Sequence, residues 1–230
     1  GVMTGGVRRN LIMYGRWIDE TTPRAIGISA SNIRQGVIED NFFYKSEVGY
    51  NGDAIAIGGD RDLMVTNLLI QNNKIVSWNG PVSVRPLASG QVIDGIQINS
   101  NSFFRDLTNN DGNGNFDKPF VSLIEHFQDH RISASGNEYR FYGMHSRPFM
   151  IGGDNVSSTD WKSQVEQSAT FSDAASPPPD SGLGQYMSSI GLDGGMTEFL
   201  AQARELSRSR TNLNFRPSRV YDWFASHVAQ

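Results

Sequence analysis

The sequence predicts an all-β solenoid, a right-handed parallel β-helix of about five coils over residues 9–153, followed by a short α-helical C-terminal tail. Three observations predict it. A template anchored on one asparagine recurs along the chain. Each copy is followed, after a loop of variable length, by a second alternating strand. The composition supplies turns in abundance, with 24 glycines in 230 residues and a dense scatter of Asn and Ser, as short strands need.

The template reads aliphatic, two polar or small residues, Asn, any residue, then a large apolar side chain. Ile38-Glu39-Asp40-Asn41-Phe42-Phe43 fits it, as do Ile70-Gln71-Asn72-Asn73-Lys74-Ile75 and Ile98-Asn99-Ser100-Asn101-Ser102-Phe103. Ala134-Ser135-Gly136-Asn137-Glu138-Tyr139 is a fourth copy. Ile12-Met13-Tyr14-Gly15-Arg16-Trp17 reads as a first, with Gly in the Asn slot. The second strands are Ala25–Ile28, Ala54–Ile57, Val82–Val84, Phe120–Leu123 and Phe149–Ile151. Fixed cores with elastic loops suit a solenoid, in which each coil buries its apolar face only by stacking on its neighbours. An antiparallel sandwich also uses short strands, but its strands have no reason to share an Asn-anchored template.

Each slot has a physical role. Inward aliphatics stack on their equivalents, and each contributes roughly 1.5–3 kcal/mol when buried. The Asn is expected at a sharp corner in left-handed geometry, which Asn and Gly tolerate. Pointing inward, its amide would bond the Asn above and below. An unsatisfied buried amide costs about 1–3 kcal/mol, so the ladder should be continuous or absent.

Beyond Gly153 the repeat stops, which divides the chain into a β-helix (1–153), an extended linker packing on it (154–184) and a helical tail or cap (185–230). The linker carries Pro177-Pro178-Pro179, a polyproline-like spacer. Within it Ser158-Thr159-Asp160-Trp161 would cap a short helix that drops Trp161 onto the solenoid. Met196–Arg208 sets Phe199, Leu200, Ala203 and Leu206 on one helical face. Ser218–Val228 does the same with Val220, Tyr221, Phe224 and Val228, with Ser218 as N-cap. These stripes are packing faces, expected to dock on the solenoid or to cover its C-terminal end, since an open end exposes unpaired edges.

Composition excludes several functions. Formal net charge is −4, which argues against non-specific nucleic-acid binding. The absence of cysteine removes disulfides, thiolate metal sites and a Cys nucleophile. No apolar run approaches 18 residues, so no membrane span is expected. No signal peptide opens the chain, and Gly1 points to a processed or truncated start.

The coils resemble the bacterial right-handed parallel β-helix proteins, the pectate-lyase-like superfamily of pectate, alginate and chondroitin lyases and phage tailspikes. The tail carries the more specific resemblance. Tyr186-Met187-Ser188-Ser189-Ile190-Gly191-Leu192-Asp193-Gly194, then Phe199–Arg204 and Ser207-Arg208, is similar to the C-terminal segment of secreted bacterial proteins with right-handed β-helix repeats. There the tail follows a solenoid and a Trp-containing linker, the place Trp161 takes here. The resemblance implies a secreted, periplasmic or cell-surface protein and the C-terminal part of a longer solenoid or a shortened relative. It implies no particular reaction.

A polysaccharide lyase needs a cation against the uronate carboxylate and a base near the sugar C5. A glycoside hydrolase needs two carboxyls at a set separation. Asp53 and Arg85, on successive coils beside their second strands, and Glu125 and His126 in Glu125-His126-Phe127-Gln128-Asp129-His130-Arg131 are the catalytic candidates. His126 and His130 would share a face if that stretch were helical. Tyr44, Tyr50 and Trp78, in loops after the corner, are candidates to stack on sugars. Asp111-Gly112-Asn113-Gly114-Asn115-Phe116-Asp117 alternates oxygen ligands as calcium loops do, so Asp111, Asn113, Asn115 and Asp117 are the candidate Ca²⁺ ligands. It is not an EF-hand, because Phe116 and Ser122 stand where that loop has Gly and an acid.

The expected function is binding or processing of an extracellular polysaccharide. The alternative is a non-catalytic structural or assembly subunit that uses the solenoid as a rigid scaffold and self-associates or docks through its edges.

Overall fold

The computed structural model describes residues 3–13, 24–44, 51–58, 64–85, 92–106, 119–124, 126–143, 147–177, 182–205 and 212–227. It is a parallel β-solenoid of about four turns, with three strands to the coil. The first coil is β1 (Met3–Arg8), β2 (Leu11–Met13) and β3 (Arg24–Ala30), and the second β4 (Ile33–Glu39), β5 (Phe42–Tyr44) and β6 (Asn51–Ile57). The third is β7 (Met64–Gln71), β8 (Lys74–Val76) and β9 (Gly80–Val84), and the fourth β10 (Val92–Asn99), β11 (Ser102–Asp106) and β12 (Val121–Leu123). A fifth set, β13 (Ser133–Ser135), β14 (Glu138–Tyr142) and β15 (Phe149–Ile151), closes the last turn.

Equivalent strands stack in parallel into three sheets: β1-β4-β7-β10-β13, β2-β5-β8-β11-β14 and β3-β6-β9-β12-β15. The solenoid does not stop at Gly153. A hairpin adds β16 (Asp154–Val156) antiparallel to β15, and β17 (Thr170–Asp173) continues the second sheet in parallel on β14. Between them α1 (Ser158–Gln164) is capped by Ser157, whose hydroxyl accepts from the Asp160 N–H while Asp160 returns the bond. The helix buries Trp161, which stacks on Phe149 at 4.6 Å.

Register explains the core. The row Val7, Ile38, Ile70, Ile98 and Ala134 runs down the first sheet. Ile12, Phe43, Ile75, Phe103, Tyr139 and Phe171 run down the second, and Ile28, Ile55, Val82 and Val121 down the third. In the second row the Phe103, Tyr139 and Phe171 rings stack at 5.1 and 5.5 Å.

The ladder exists, with three corrections. First, its opening member is Asn10 rather than Gly15. Leu11 pairs with Phe42 and Ile12 with Phe43, and both the N–H and Nδ2 of Asn10 donate to Asn41 Oδ1 at 3.0 and 3.1 Å. Gly15 lies outside the described residues. Second, the left-handed residue is the one before each anchor: Arg9, Asp40, Asn72, Ser100 and Gly136 all have φ between 54° and 65°. The Asn is present for its amide. Asn41, Asn73 and Asn101 each donate N–H and Nδ2 to the Oδ1 of the next anchor at 2.8–3.0 Å. The remaining Nδ2 proton goes to the carbonyl of the aliphatic slot one coil back, Val7, Ile38 and Ile70, and Asn137 reaches Ile98 in the same way.

Third, the ladder ends on a carboxylate. Ala169 holds the backbone position of the anchor, since the next residue, Thr170, donates its N–H to Asn137 O. The acceptor is supplied by Glu166, buried three residues earlier. Its Oε1 accepts from Asn137 N and Nδ2 at 2.6 and 2.9 Å. Its Oε2 accepts from the Tyr139 hydroxyl at 2.8 Å and Trp161 Nε1 at 3.3 Å. A group that only accepts closes a row that donates in one direction. Burial, and then the charge and hydrogen bond of Glu166, hold the Tyr139 phenol well above its ordinary range.

The tail contains α2 (Gly182–Ser189), α3 (Met196–Arg204), a short 3-10 turn (Leu213–Phe215) and α4 (Pro217–His227). Of the two expected placements, the helices take the flank. The outward Phe42, Tyr44, Val76 and Phe104 of the second sheet form a second core with Leu183, Tyr186, Met187, Phe215, Val220 and Phe224. Tyr44 accepts from the Gly182 N–H at 2.8 Å, and Lys74 Nζ donates to Ala225 O at the C-terminus of α4 at 3.1 Å. Helix α4 begins with Pro217 rather than after a Ser218 cap, as suits proline in a first turn. Leu200 is 41% exposed, off the packing face that Phe199 and Ala203 share. Leu206 and Val228 lie outside the described residues. The C-terminal end itself is closed by β17, α1 and Trp161.

Candidate functional site

Of the catalytic candidates, Asp53 on β6 and Arg85 just after β9 are brought together. Arg85 Nη2 donates to Asp53 Oδ2 at 2.8 Å, with Asp53 only 2% and Arg85 29% exposed. The two groups face each other with no room for a sugar between them. A uronate seeking Arg85 would have to displace a buried carboxylate. The outward row of this third sheet is Ser29, Ala56, Ser83, Ser122 and Met150, a run of short side chains ending in a thioether.

Glu125 lies outside the described residues. His126 is exposed at the start of a turn over residues 126–131, where its φ is +51°. That turn is tied by Asp129 N to His126 O and His130 N to Phe127 O, so the stretch is not the α-helix that would align His126 with His130. The sugar-stacking candidates fare differently. Tyr44 and Trp78 are fully buried, Tyr44 under the tail helices and Trp78 edge-on to Phe43 at 6.4 Å. Neither offers a ring face to solvent. A large ring after a β-corner need not face solvent, because the second sheet has a covered outer face as well as a core face. Tyr50 and the calcium candidates Asp111, Asn113, Asn115 and Asp117 lie outside the described residues. Among the described residues no three His, Asp or Glu side chains gather closely enough to hold a metal ion. No described helix is long and apolar enough to cross a membrane.

The outer face of the first sheet carries a groove that the sequence reading missed. Its volume is about 520 Å³, and its lining includes Asn67, Leu69, Gln97, Gln128, Arg131 and Ser133. Leu69, Gln97 and Ser133 are register partners on β7, β10 and β13, so the floor climbs one coil at a time. One wall is the 126–131 turn, pinned to β10 by Gly95 N donating to His130 O at 2.9 Å. Beneath the turn β7 and β10 each carry a left-handed residue, Asn67 (φ 53°) and Gly95 (φ 68°). A Cβ on Gly95 would lie 3.0 Å from Asn67 Oδ1 and 3.5 Å from Arg131 Nη2. The left-handed backbone favours glycine there, and a side chain would press on the Asn67 amide.

Arg131 grips Asp94 with two prongs, Nε to Oδ1 at 2.9 Å and Nη2 to Oδ2. The Arg131 hydrogen bond and charge hold the Asp94 carboxyl below its ordinary value. Further along the same face Arg8 pairs with Glu39, which also accepts from Gln71 Nε2 at 2.8 Å. The Gln71 bond, with Arg8 behind it, lowers Glu39 in the same way. The groove therefore offers amides, a hydroxyl and an apolar floor, with its guanidinium already answered by a carboxylate.

Fold and groove together describe a parallel β-solenoid with a polar groove on the outer face of its first sheet. No protein-family model matches the chain, and comparisons with curated proteins and with solved structures give no significant match.

Proposed function

We propose that this protein is an extracellular, non-catalytic polysaccharide-binding solenoid whose binding face is the outer side of the first sheet. One observation carries the reading: the groove of about 520 Å³ lined by three amides, a serine hydroxyl and a leucine floor. Its size falls within the range of ligand clefts. Amides and hydroxyls match vicinal sugar hydroxyls, and a leucine matches the C–H face of a sugar ring. Stacked strands lie about 4.8 Å apart, so three coils offer several sugar-binding rungs. The engagement of Arg85 by Asp53 supports binding over cleavage. The test is affinity electrophoresis through gels of neutral glycans, with an assay for released products. Retardation without products, weakened by Gln97→Ala and Gln128→Ala, is expected. Migration unchanged across a broad glycan panel would overturn the proposal.

A second reading, self-association through the first coil, is favoured by a different observation. Val7 and Ile26 are 36% and 42% exposed, although Val7 heads a row whose later members are buried. Concentration-dependent mass in light scattering, abolished by Val7→Lys, would support assembly; a constant monomer mass would remove it. The calcium proposal for Asp111–Asp117 rests on its alternating oxygen donors alone. A melting temperature that falls on chelation is its test.

A further inference from the structure

We propose that Asp94 is a specificity-determining residue of the groove: its carboxylate occupies the two donors of Arg131 that an acidic sugar would use, so the groove takes neutral glycans and turns uronates away. This rests on the binding reading above. Arg131 is the only charged side chain among the described residues that line the groove. A guanidinium recognises a carboxylate through paired, roughly parallel N–H···O bonds. Asp94 already makes that pairing, through Nε and Nη2. It is a built-in copy of the uronate headgroup, held in place on β10.

The pairing is positioned rather than incidental. Arg131 ends the 126–131 turn with φ +50°, and the turn is fastened to the strand carrying Asp94 by the bond from Gly95 N to His130 O. Arg131 Nη2 passes close over Gly95, 3.5 Å from where a Cβ would stand, on its way to Asp94. The pair is open to water, with Arg131 66% and Asp94 30% exposed. Exposed pairs are modest in strength, so the effect is a preference set by competition for one fork and not an absolute block.

The experiment measures retardation of the full chain in gels containing polygalacturonate or a neutral glucan at low ionic strength, where surface charges are least screened. Asp94→Ala and Asp94→Asn should each bind polygalacturonate about three- to fivefold more tightly than wild type, with neutral-glycan binding unchanged. The gain should vanish in the Asp94→Ala/Arg131→Ala double variant. Asp193→Ala, at an exposed site in the tail, removes the same charge and should give no gain. The proposal is overturned if the Asp94 variants bind polygalacturonate no better than Asp193→Ala, or if the double variant keeps the gain. A wild type that retains no neutral glycan defeats the binding reading, while the Asp94 and Asp193 variants still decide this one on polygalacturonate.

Discussion

Replacing Glu166 tests the idea that a one-directional ladder needs an all-acceptor end. Glu166 receives four buried donors: Asn137 N and Nδ2, the Tyr139 hydroxyl and Trp161 Nε1. Each buried donor left without a partner costs about 1–3 kcal/mol. In Glu166→Ala the four share one site and relax together, so the loss should be about 3–5 kcal/mol, the range for breaking a buried charged network. Glu166→Gln separates the contributions. Its Oε1 can still serve Asn137, and the Tyr139 hydroxyl can rotate to accept from the new amide. Trp161 Nε1 then faces an N–H, so about 1–3 kcal/mol should be lost. Trp161→Phe removes that donor, and Glu166→Gln in this background should cost much less. Solenoid stability is carried by nearest neighbours, so the readout is amide hydrogen exchange. Protection at Asn137 and Thr170 should fall about tenfold per 1.4 kcal/mol, while Asn41 and Asn73 keep theirs. Equal losses in Glu166→Gln and Glu166→Ala, or loss spread evenly along the ladder, would refute the reasoning.

Within the ladder, Asn73→Ala strands the Asn41 N–H and amide together, and should cost about 2–4 kcal/mol in urea unfolding. Asn10→Ala, at the exposed first rung, should cost under about 1 kcal/mol, and equal costs would mean that the rungs are not coupled. Phe224→Ala empties the centre of the second core, between Tyr44 and Tyr186; a loss of about 3–5 kcal/mol should appear as faster exchange in the tail helices, with the ladder still protected. The Asp94 carboxyl should titrate below its ordinary 3.8, and Arg131→Ala should return it towards that value by carboxyl NMR. Because the folded value is depressed, the pair's contribution to stability is present above about pH 4 and is lost as pH falls through the lowered value. Acid unfolding of Asp94→Ala should therefore lack that portion of the pH dependence.

The ladder was legible because a buried amide imposes one residue at one slot, with apolar flanks fixed by the strands on either side. Even the missed first rung obeys the template: Val7-Arg8-Arg9-Asn10-Leu11-Ile12 fits it in full. Ile12 fits the template both as a leading and as a trailing apolar residue, and in the fold it is the trailing one, paired with Phe43. Glu166 was not legible by slot, because Ala169 holds the slot and the carboxylate reaches it from three residues upstream. The burial of Tyr44 was hidden because strand alternation does not tell an outer face under helices from one in water. The groove depends on the 126–131 turn folding over β10, a long-range contact that no local pattern in Glu125–Arg131 announces.

The ladder's direction also gives the fold a punctuation. From Asn41 to Asn101 each anchor amide turns its carbonyl toward the anchor before it and passes its backbone N–H and one Nδ2 proton to the anchor after it. Asparagine, which both accepts and donates, therefore reads as "continue", and glutamate, which only accepts, reads as "stop". A coil duplicated between Asn73 and Asn101 would join the row without a mismatch. A carboxylate placed at either anchor would leave the following Oδ1 facing another acceptor. The end of this solenoid is thus written in whether an amide or a carboxylate meets the last anchor.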